Sequence, residues 1–383
     1  MNNSIVVIAI AIATLLSCAF AQNDRLCKLR KDPSVTYYCV EGDGSRVCEE
    51  SVPSGTVVRP ECSAPVYYYS GTFPFMRCID GSWDYIAKCL PECGTPSPMP
   101  IPLDSGSDSP DSTELPWHGA VYKKTTTPYQ FRCAVTLVTK KVVLSAAHCF
   151  WDGVKETALK AEDFAVAVGK THRPWAAPED QHAQKSDNDD DDDDLLCSAL
   201  KNIFSQVAEI KLPARFRGGV TNYQDDLAVL VLAKEITFSP HVRPVCLDFN
   251  VIFERQQLKE NSLGKVASWG GIKPSKTYKV TEMMYFPIEQ CIAESPPDFR
   301  EFLTSDKICT GFTNGTGLCR GDGGAGLSFP SMERGRTRYY LRGLVSTAPT
   351  SSEDFLCTEN SLQTYTQISK HELFIKENIN TAK

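Results

Sequence analysis

The sequence runs to 383 residues, 42% hydrophobic, 10% aromatic and 23% charged, which suits two or three domains and is too apolar for a disordered chain. The net charge is −7, so no basic field exists to hold nucleic acid. Asp187 and the run Asp189–Asp194 account for that charge, which makes the acidity a property of one loop and leaves the remainder neutral.

Residues 1–21 contain no charged side chain, Ile5 to Leu16 is almost unbroken aliphatic, and Ala19-Phe20-Ala21 is a small-x-small cleavage signal. The pattern predicts a signal peptide over 1–21, cut before Gln22. No later stretch approaches the ~20 apolar residues that a membrane helix needs, so a secreted, extracellular chain without a membrane span is expected. Of the 16 cysteines, Cys18 leaves with that peptide. The odd number left in an oxidising compartment points to disulfides with at least one thiol unpaired or bonded to another chain.

Cys27, Cys39, Cys48, Cys62, Cys78 and Cys89 fall close together, among turn residues such as Gly55, Pro60 and Gly81 and short β-type runs at Thr56–Val58 and Val66–Tyr69. A module of this size, 22–92, cannot build a large core, so bridges should hold it. Six cysteines allow ~15 pairings, and spacing alone does not choose among them. Residues 93–115 read as an extended Pro/Ser-rich linker, with Pro96, Pro98, Pro100, Pro102, Gly106 and Pro110.

From 116 to 383 the chain is strand-like. Phe131–Leu137, Lys141–Leu144, Phe164–Val168, Leu227–Leu232 and Tyr339–Val345 predict an all-β barrel or sandwich. Ile368, Phe374, Ile375 and Ile379 predict one terminal amphipathic helix. Residues 170–205 read as a mobile surface insertion, because the near-contiguous aspartates repel one another. That run, Asp187–Asp194, reads as a solvated loop, with calcium or a basic partner as the alternative.

Four stretches carry chemistry. Leu144-Ser145-Ala146-Ala147-His148-Cys149 ends an apolar strand on a histidine. Asp225-Asp226-Leu227-Ala228-Val229-Leu230 sets an aspartate before a buried-type strand. Cys319-Arg320-Gly321-Asp322-Gly323-Gly324-Ala325-Gly326-Leu327 is a glycine-rich turn, and Gly343-Leu344-Val345-Ser346 is a strand ending in serine. Together they resemble the trypsin/chymotrypsin family of serine proteases, with Pro116-Trp117-His118-Gly119, Ala267-Ser268-Trp269-Gly270 and Thr364-Tyr365-Thr366 resembling three further family stretches. The resemblance implies two six-stranded antiparallel β-barrels with a cleft between them and a C-terminal helix. Residues 22–92 are similar to a sushi module with an extra cysteine pair, and the whole order is similar to the modular serine proteases of arthropod haemolymph.

The resemblance also implies bridges Cys133–Cys149, Cys291–Cys309, Cys319–Cys357 and Cys93–Cys246, and in the small module Cys48–Cys78, Cys62–Cys89 and Cys27–Cys39. Cys197 is left over as a free thiol or an intermolecular handle. By position, His148 and Asp226 are remnants of the base and its orienting carboxylate, Ser346 supports that carboxylate, and Gly321 offers an oxyanion-hole N–H.

The family's nucleophile loop reads Gly-Asp-Ser-Gly-Gly-Pro, whereas here glycine, Gly323, stands at the serine position. Without an oxygen no acyl-enzyme can form. The activation stretch Pro100-Ile101-Pro102 departs from Ile-Val and follows no basic residue, which implies that Asp322 lacks its usual cationic partner. Gly317, Ala348 and Gln363 fall on the specificity pocket, with no acidic group at its floor, and Asn314-Gly315-Thr316 is a glycosylation sequon beside it. The expectation is a catalytically inactive homologue, without cofactor, that binds extracellular proteases or zymogens, or microbial surface ligands, in an immune-type cascade. The alternatives are an active serine endopeptidase and a carbohydrate- or pattern-binding protein.

Overall fold

Apolar runs that do not alternate become strands buried on both faces. All of Phe164–Val168 and all of Val142–Ser145 are buried, as two-sided packing of a closed sheet requires. A computed structural model describes residues 25–32, 34–42, 44–63, 67–69, 73–87, 89–96, 115–180, 184–185, 206–270, 277–312, 318, 322–333, 335–347 and 362–382. The chain divides into two compact units, Met1–Glu92 and Cys93–Lys383.

The first unit is built of short strands. Its main sheet runs Gly44–Val47, Val35–Glu41, Val57–Cys62, Met76–Ile79 and Ser82–Trp83 in spatial order, flanked by the pairs Leu26–Lys28 with Ser51–Pro53 and Tyr67–Tyr69 with Cys89–Pro91. Its core is small: Val52, Val58, Met76 and Ala87 pack around Cys27, Cys39 and Cys78. The bridges are Cys27–Cys78, Cys39–Cys48 and Cys62–Cys89. This corrects two of the three implied pairings. The hairpin of Val35–Glu41 with Gly44–Val47 sets Cys39 opposite Arg46 and brings the Cys48 N–H onto the Tyr37 carbonyl, so those two cysteines meet across a tight turn. Cys27 pairs in register with Val52, whose carbonyl also lies against the Cys78 sulfur, so the first strand delivers Cys27 to Cys78.

The second unit holds two barrels. In the first, the strands run Phe164–Val168, His118–Lys123, Gln130–Leu137, Val142–Ser145, Ala228–Leu232 and Val207–Lys211, all antiparallel neighbours. A bridge between Ala165 and Gln206 joins the two ends of this row, and Gln184–Lys185 adds a further short strand beside Phe164–Val168. The second barrel is fully closed, in the order Leu263–Ser268, Lys279–Phe286, Lys307–Phe312, Gln363–Gln367, Arg336–Val345 and Gly326–Glu333. The all-β two-barrel architecture is therefore as expected. The terminal helix spans Glu372–Thr381 and seats Ile375 in the core, with Ile368 placed there by the preceding 3-10 turn. Bridges Cys93–Cys246, Cys133–Cys149 and Cys291–Cys309 form as expected, whereas Cys319–Cys357 and Cys197 lie outside the described residues.

The expected insertion is not surface chain from its start. Lys170 is buried, and its Nζ lies 2.6 Å from Asp180 Oδ2, while the Asp180 carboxylate also accepts the backbone N–H groups of Thr171 and His172. Trp175 is buried against Tyr122 and Tyr129. An apolar anchor and a buried ion pair thus fix 170–180 to the barrel. Asp187–Asp194, for which calcium was an alternative, lies outside the described residues, as does the signal-peptide stretch.

Candidate active site

The strand Val142–Ser145 runs into a 3-10 turn, Ala147–Phe150, which carries His148 at the barrel end. The Cys133–Cys149 bridge ties that turn to the neighbouring strand Gln130–Leu137. Asp226 enters from the adjacent strand side, two residues before Ala228–Leu232, and is completely buried. Its carboxylate takes three hydrogen bonds. The His148 backbone N–H donates to Oδ1 at 2.8 Å, His148 Nδ1 lies 2.8 Å from Oδ2, and the Ser346 hydroxyl donates to Oδ2 at 2.6 Å. The Asp226 main-chain carbonyl accepts the Thr366 hydroxyl at 2.9 Å.

Burial works to raise the Asp226 carboxyl. The charge and hydrogen bond of His148, the Lys307 ammonium and the Ser346 hydroxyl outweigh it and hold the group below the usual carboxylate range. An ionised carboxylate only accepts, so Nδ1 of His148 carries the proton shared with it. The other ring nitrogen, Nε2, faces Gly323. A Cβ added at Gly323 would stand 2.6 Å from His148 Nε2 and 2.7 Å from Cε1, so the imidazole edge occupies the space a side chain there would need.

The loop that carries Gly323 is held from both barrels. The Ala134 N–H donates to the Gly323 carbonyl at 3.0 Å, and the Gly324 N–H donates to the Val345 carbonyl at 2.9 Å. Thr136 donates to the Gly324 carbonyl at 3.1 Å. Gly324 sits at φ +85° and packs so tightly that a Cβ would fall 2.3 Å from Ser145 Oγ and 2.5 Å from the Ala134 carbonyl. Only glycine meets both demands. Asp322 is buried and accepts the Gly270 N–H at 2.8 Å; a Cβ on Gly270 would collide with that carboxylate.

His148, Asp226, Gly323 and Ser346 are thus brought to one place from four separate stretches of chain. Gln363 opens the strand Gln363–Gln367 opposite Thr310 and is buried. Gly317, Gly321, Ala348 and Asn314 lie outside the described residues, as does the stretch 100–106. Sequence reasoning passed over two neighbours of the site. Tyr223 stands edge-on to the His148 ring at 6.1 Å, and Thr366 holds the Asp226 backbone. Thr364-Tyr365-Thr366 is marked in sequence as a stretch resembling the family, but the hydrogen bond Thr366 supplies spans 140 positions and has no local signal.

The family model described as Trypsin matches residues 104–217 and 214–367. The chain belongs to the trypsin family. The matched spans contain every one of His148, Asp226, Gly323 and Ser346. Among relatives, the chain is 26% identical to the modular serine protease of Drosophila melanogaster over 338 residues, which is 86% of this chain and 49% of that protein. It is 26% identical to clotting factor C of Tachypleus tridentatus over 282 residues, 70% of this chain and 25% of that protein. It is 24% identical to the inactive serine protease PAMR1 of Bos taurus over 351 residues, 85% of this chain and 43% of that protein. The chain therefore spans half or less of the length of these trypsin-family relatives. Among the described residues no helix is long and apolar enough to cross a membrane.

Proposed function

We propose that this protein is a secreted, catalytically inactive member of the trypsin family that acts by binding, as a cofactor, decoy or regulator of proteases or their zymogens in an extracellular, innate-immune type of cascade. The observation that carries the reading is the contact between Gly323 and His148. The position expected for the nucleophile has no side chain, and the imidazole edge fills the space where one would emerge.

The chemistry follows from what remains. His148 is held in one tautomer by Asp226, so it could accept a proton at Nε2. Gly323 itself supplies no hydroxyl to give that proton up and attack a carbonyl. Removing the nucleophile from such a constellation costs ~10⁶ in kcat and leaves only binding and backbone polarisation. The site then keeps an oriented histidine without the group it would activate.

Relatives support both halves of the reading without deciding it. One bears the name of an inactive serine protease and others the names of clotting and phenoloxidase-activating proteins. The unit 22–92, with its sushi-like cysteine pattern, is assigned here to recognition. The test is exposure of the secreted protein, before and after limited proteolysis, to a fluorophosphonate probe beside an active trypsin-like enzyme. We expect no covalent label on this chain; a label would overturn the inactive reading. Co-purification from the native fluid tests the rest, with recovery of a protease or zymogen expected and recovery of glycans alone contradicting it.

A further inference from the structure

The segment that leads into Asp226 holds a conformation its residues do not favour. Asn222, Tyr223 and Asp225 have φ of 49°, 56° and 60°. Non-glycine residues persist there only where their surroundings over-determine them. Here the surroundings are a buried charged cluster assembled from three distant stretches.

Lys307 Nζ donates to the Tyr223 carbonyl at 2.8 Å and lies 3.0 Å from Asp306 Oδ2. The Asp225 backbone N–H donates to that same Oδ2 at 2.9 Å, and Thr304 donates to Oδ1 at 2.6 Å. His371 Nε2 lies 3.5 Å from Asp306 Oδ2 and 3.9 Å from Asp225 Oδ1. Arg215, largely exposed, reaches Asp225 Oδ2 at 3.4 Å. Asp225, Asp306, Lys307 and His371 are all buried. His371 is the residue from which the helix Glu372–Thr381 starts. Lys307 also lies 3.4 Å from Thr366 Oγ1, the hydroxyl that holds the Asp226 carbonyl.

The ligand-type atoms of Asp225, Asp306 and His371 lie within 4.8 Å of one another, a spacing a divalent cation could use. The Lys307 ammonium already sits on Asp306 Oδ2 and would repel such an ion. The cluster is better read as carrying its own cation. Burial acts to raise Asp306, but the nearby His371 ring, the Lys307 charge and the Thr304 hydroxyl hold it well below the carboxylate range.

We propose that Lys307, Asp306 and His371 are positioning residues: they clamp the left-handed segment Asn222–Asp225 and thereby fix the Asp226 carboxylate and the Tyr223 ring beside His148, coupling the C-terminal helix to the cleft. The clamp goes beyond the inactive reading and stands whether or not the cleft cuts peptides. A role in fold stability alone would leave the His148–Asp226 bond as it is in any variant that folds, whereas a positioning role would change it.

The experiment uses the full-length chain with ¹⁵N-imidazole histidine and reads the His148 nitrogens. Wild type should show Nδ1 protonated and bonded. Lys307→Met and His371→Gln should shift or broaden that signal, and should raise the initial rate of proteolytic cleavage between Arg215 and Asp226 about tenfold. Lys307→Arg, which keeps the cation, should restore both readouts, and Lys376→Ala, on the exposed face of the helix, should change neither. If Lys307→Met does not fold, His371→Gln removes no buried permanent charge and serves alone. An unchanged His148 signal in folded His371→Gln would overturn the proposal. So would stabilisation of the wild type by Zn²⁺ that EDTA reverses, since the cation of the cluster would then be a metal rather than Lys307.

Discussion

The two sides of the cleft have fared differently. On one side, Asp226, His148 and Ser346 keep a complete set of hydrogen bonds around a buried carboxylate. On the other, the Asp322–Gly326 loop keeps its backbone, with Gly324 at positive φ and Asp322 on the Gly270 N–H, yet offers no side chain at Gly323. The difference separates what the fold needs from what only chemistry needs. A buried ionised carboxylate must be satisfied whatever the protein does, so its partners cannot be removed cheaply. A hydroxyl at position 323 would face the cleft and support nothing. Its absence leaves the barrel intact, and the His148 ring closes the gap.

The comparison yields an order of expected effects. Asp226→Ala should be the most damaging, at about 3–5 kcal/mol in denaturant unfolding, because it leaves the Ser346 hydroxyl and the backbone N–H and Nδ1 of His148 without their partner and leaves a void between the strands. A loss under 1 kcal/mol would mean that the carboxylate side is not held by the fold.

Acid should separate the two sides next. His118 stacks on Trp269, the residue before Gly270, and burial pushes it down to about 3. Its folded value lies below its unfolded ~6.5, so the unfolded chain takes the proton first, and stability is complete above pH ~6.5 and lost as pH falls toward 3. Asp226, also held low, contributes stability present above its unfolded ~3.9 and lost only below that. Unfolding free energy should therefore fall by roughly 3–4 kcal/mol between pH 6.5 and 3.5 through His118, and His118→Gln should flatten that slope. A flat profile in the wild type over that window would contradict this.

Gly324→Ala should cost about 2–3 kcal/mol, from positive φ together with the backbone oxygen of Ala134 in the way. Gly323→Ser should cost least, about 1 kcal/mol, because only the end of the His148 ring must yield. That variant should remain unlabelled by a fluorophosphonate while His148 is displaced. Full activity from the single change would show that the ring returns freely and that the two sides are still matched.

Much of the framework was legible in the residues. His148 after an apolar strand, Asp226 before one, and Ser346 at the end of another were singled out through the family resemblance rather than by spacing alone, and the structure brings the three together. What the sequence did not disclose is tertiary. The pairing of Cys39 with Cys48 and Cys27 with Cys78 depends on a hairpin register that six cysteines alone cannot specify. Lys170 and Asp180 look like ordinary surface charges in an insertion, yet both side chains are buried as a pair, with Lys170 also donating to the Trp175 carbonyl. Asp306, Lys307 and His371 carry no periodic signal, and their meeting with Asp225 closes separations of 81 residues and more. The departure at Gly323 was plain from the residue, but the close approach of the His148 ring to that position was not.

The most direct measurement is pre-steady-state mixing of purified protein with a small chromogenic ester in excess. Acyl transfer would release one equivalent of product in a rapid burst before turnover. The account predicts no burst and a rate equal to that of the Asp226→Asn variant. A stoichiometric burst from wild-type protein, abolished in that variant, would contradict it.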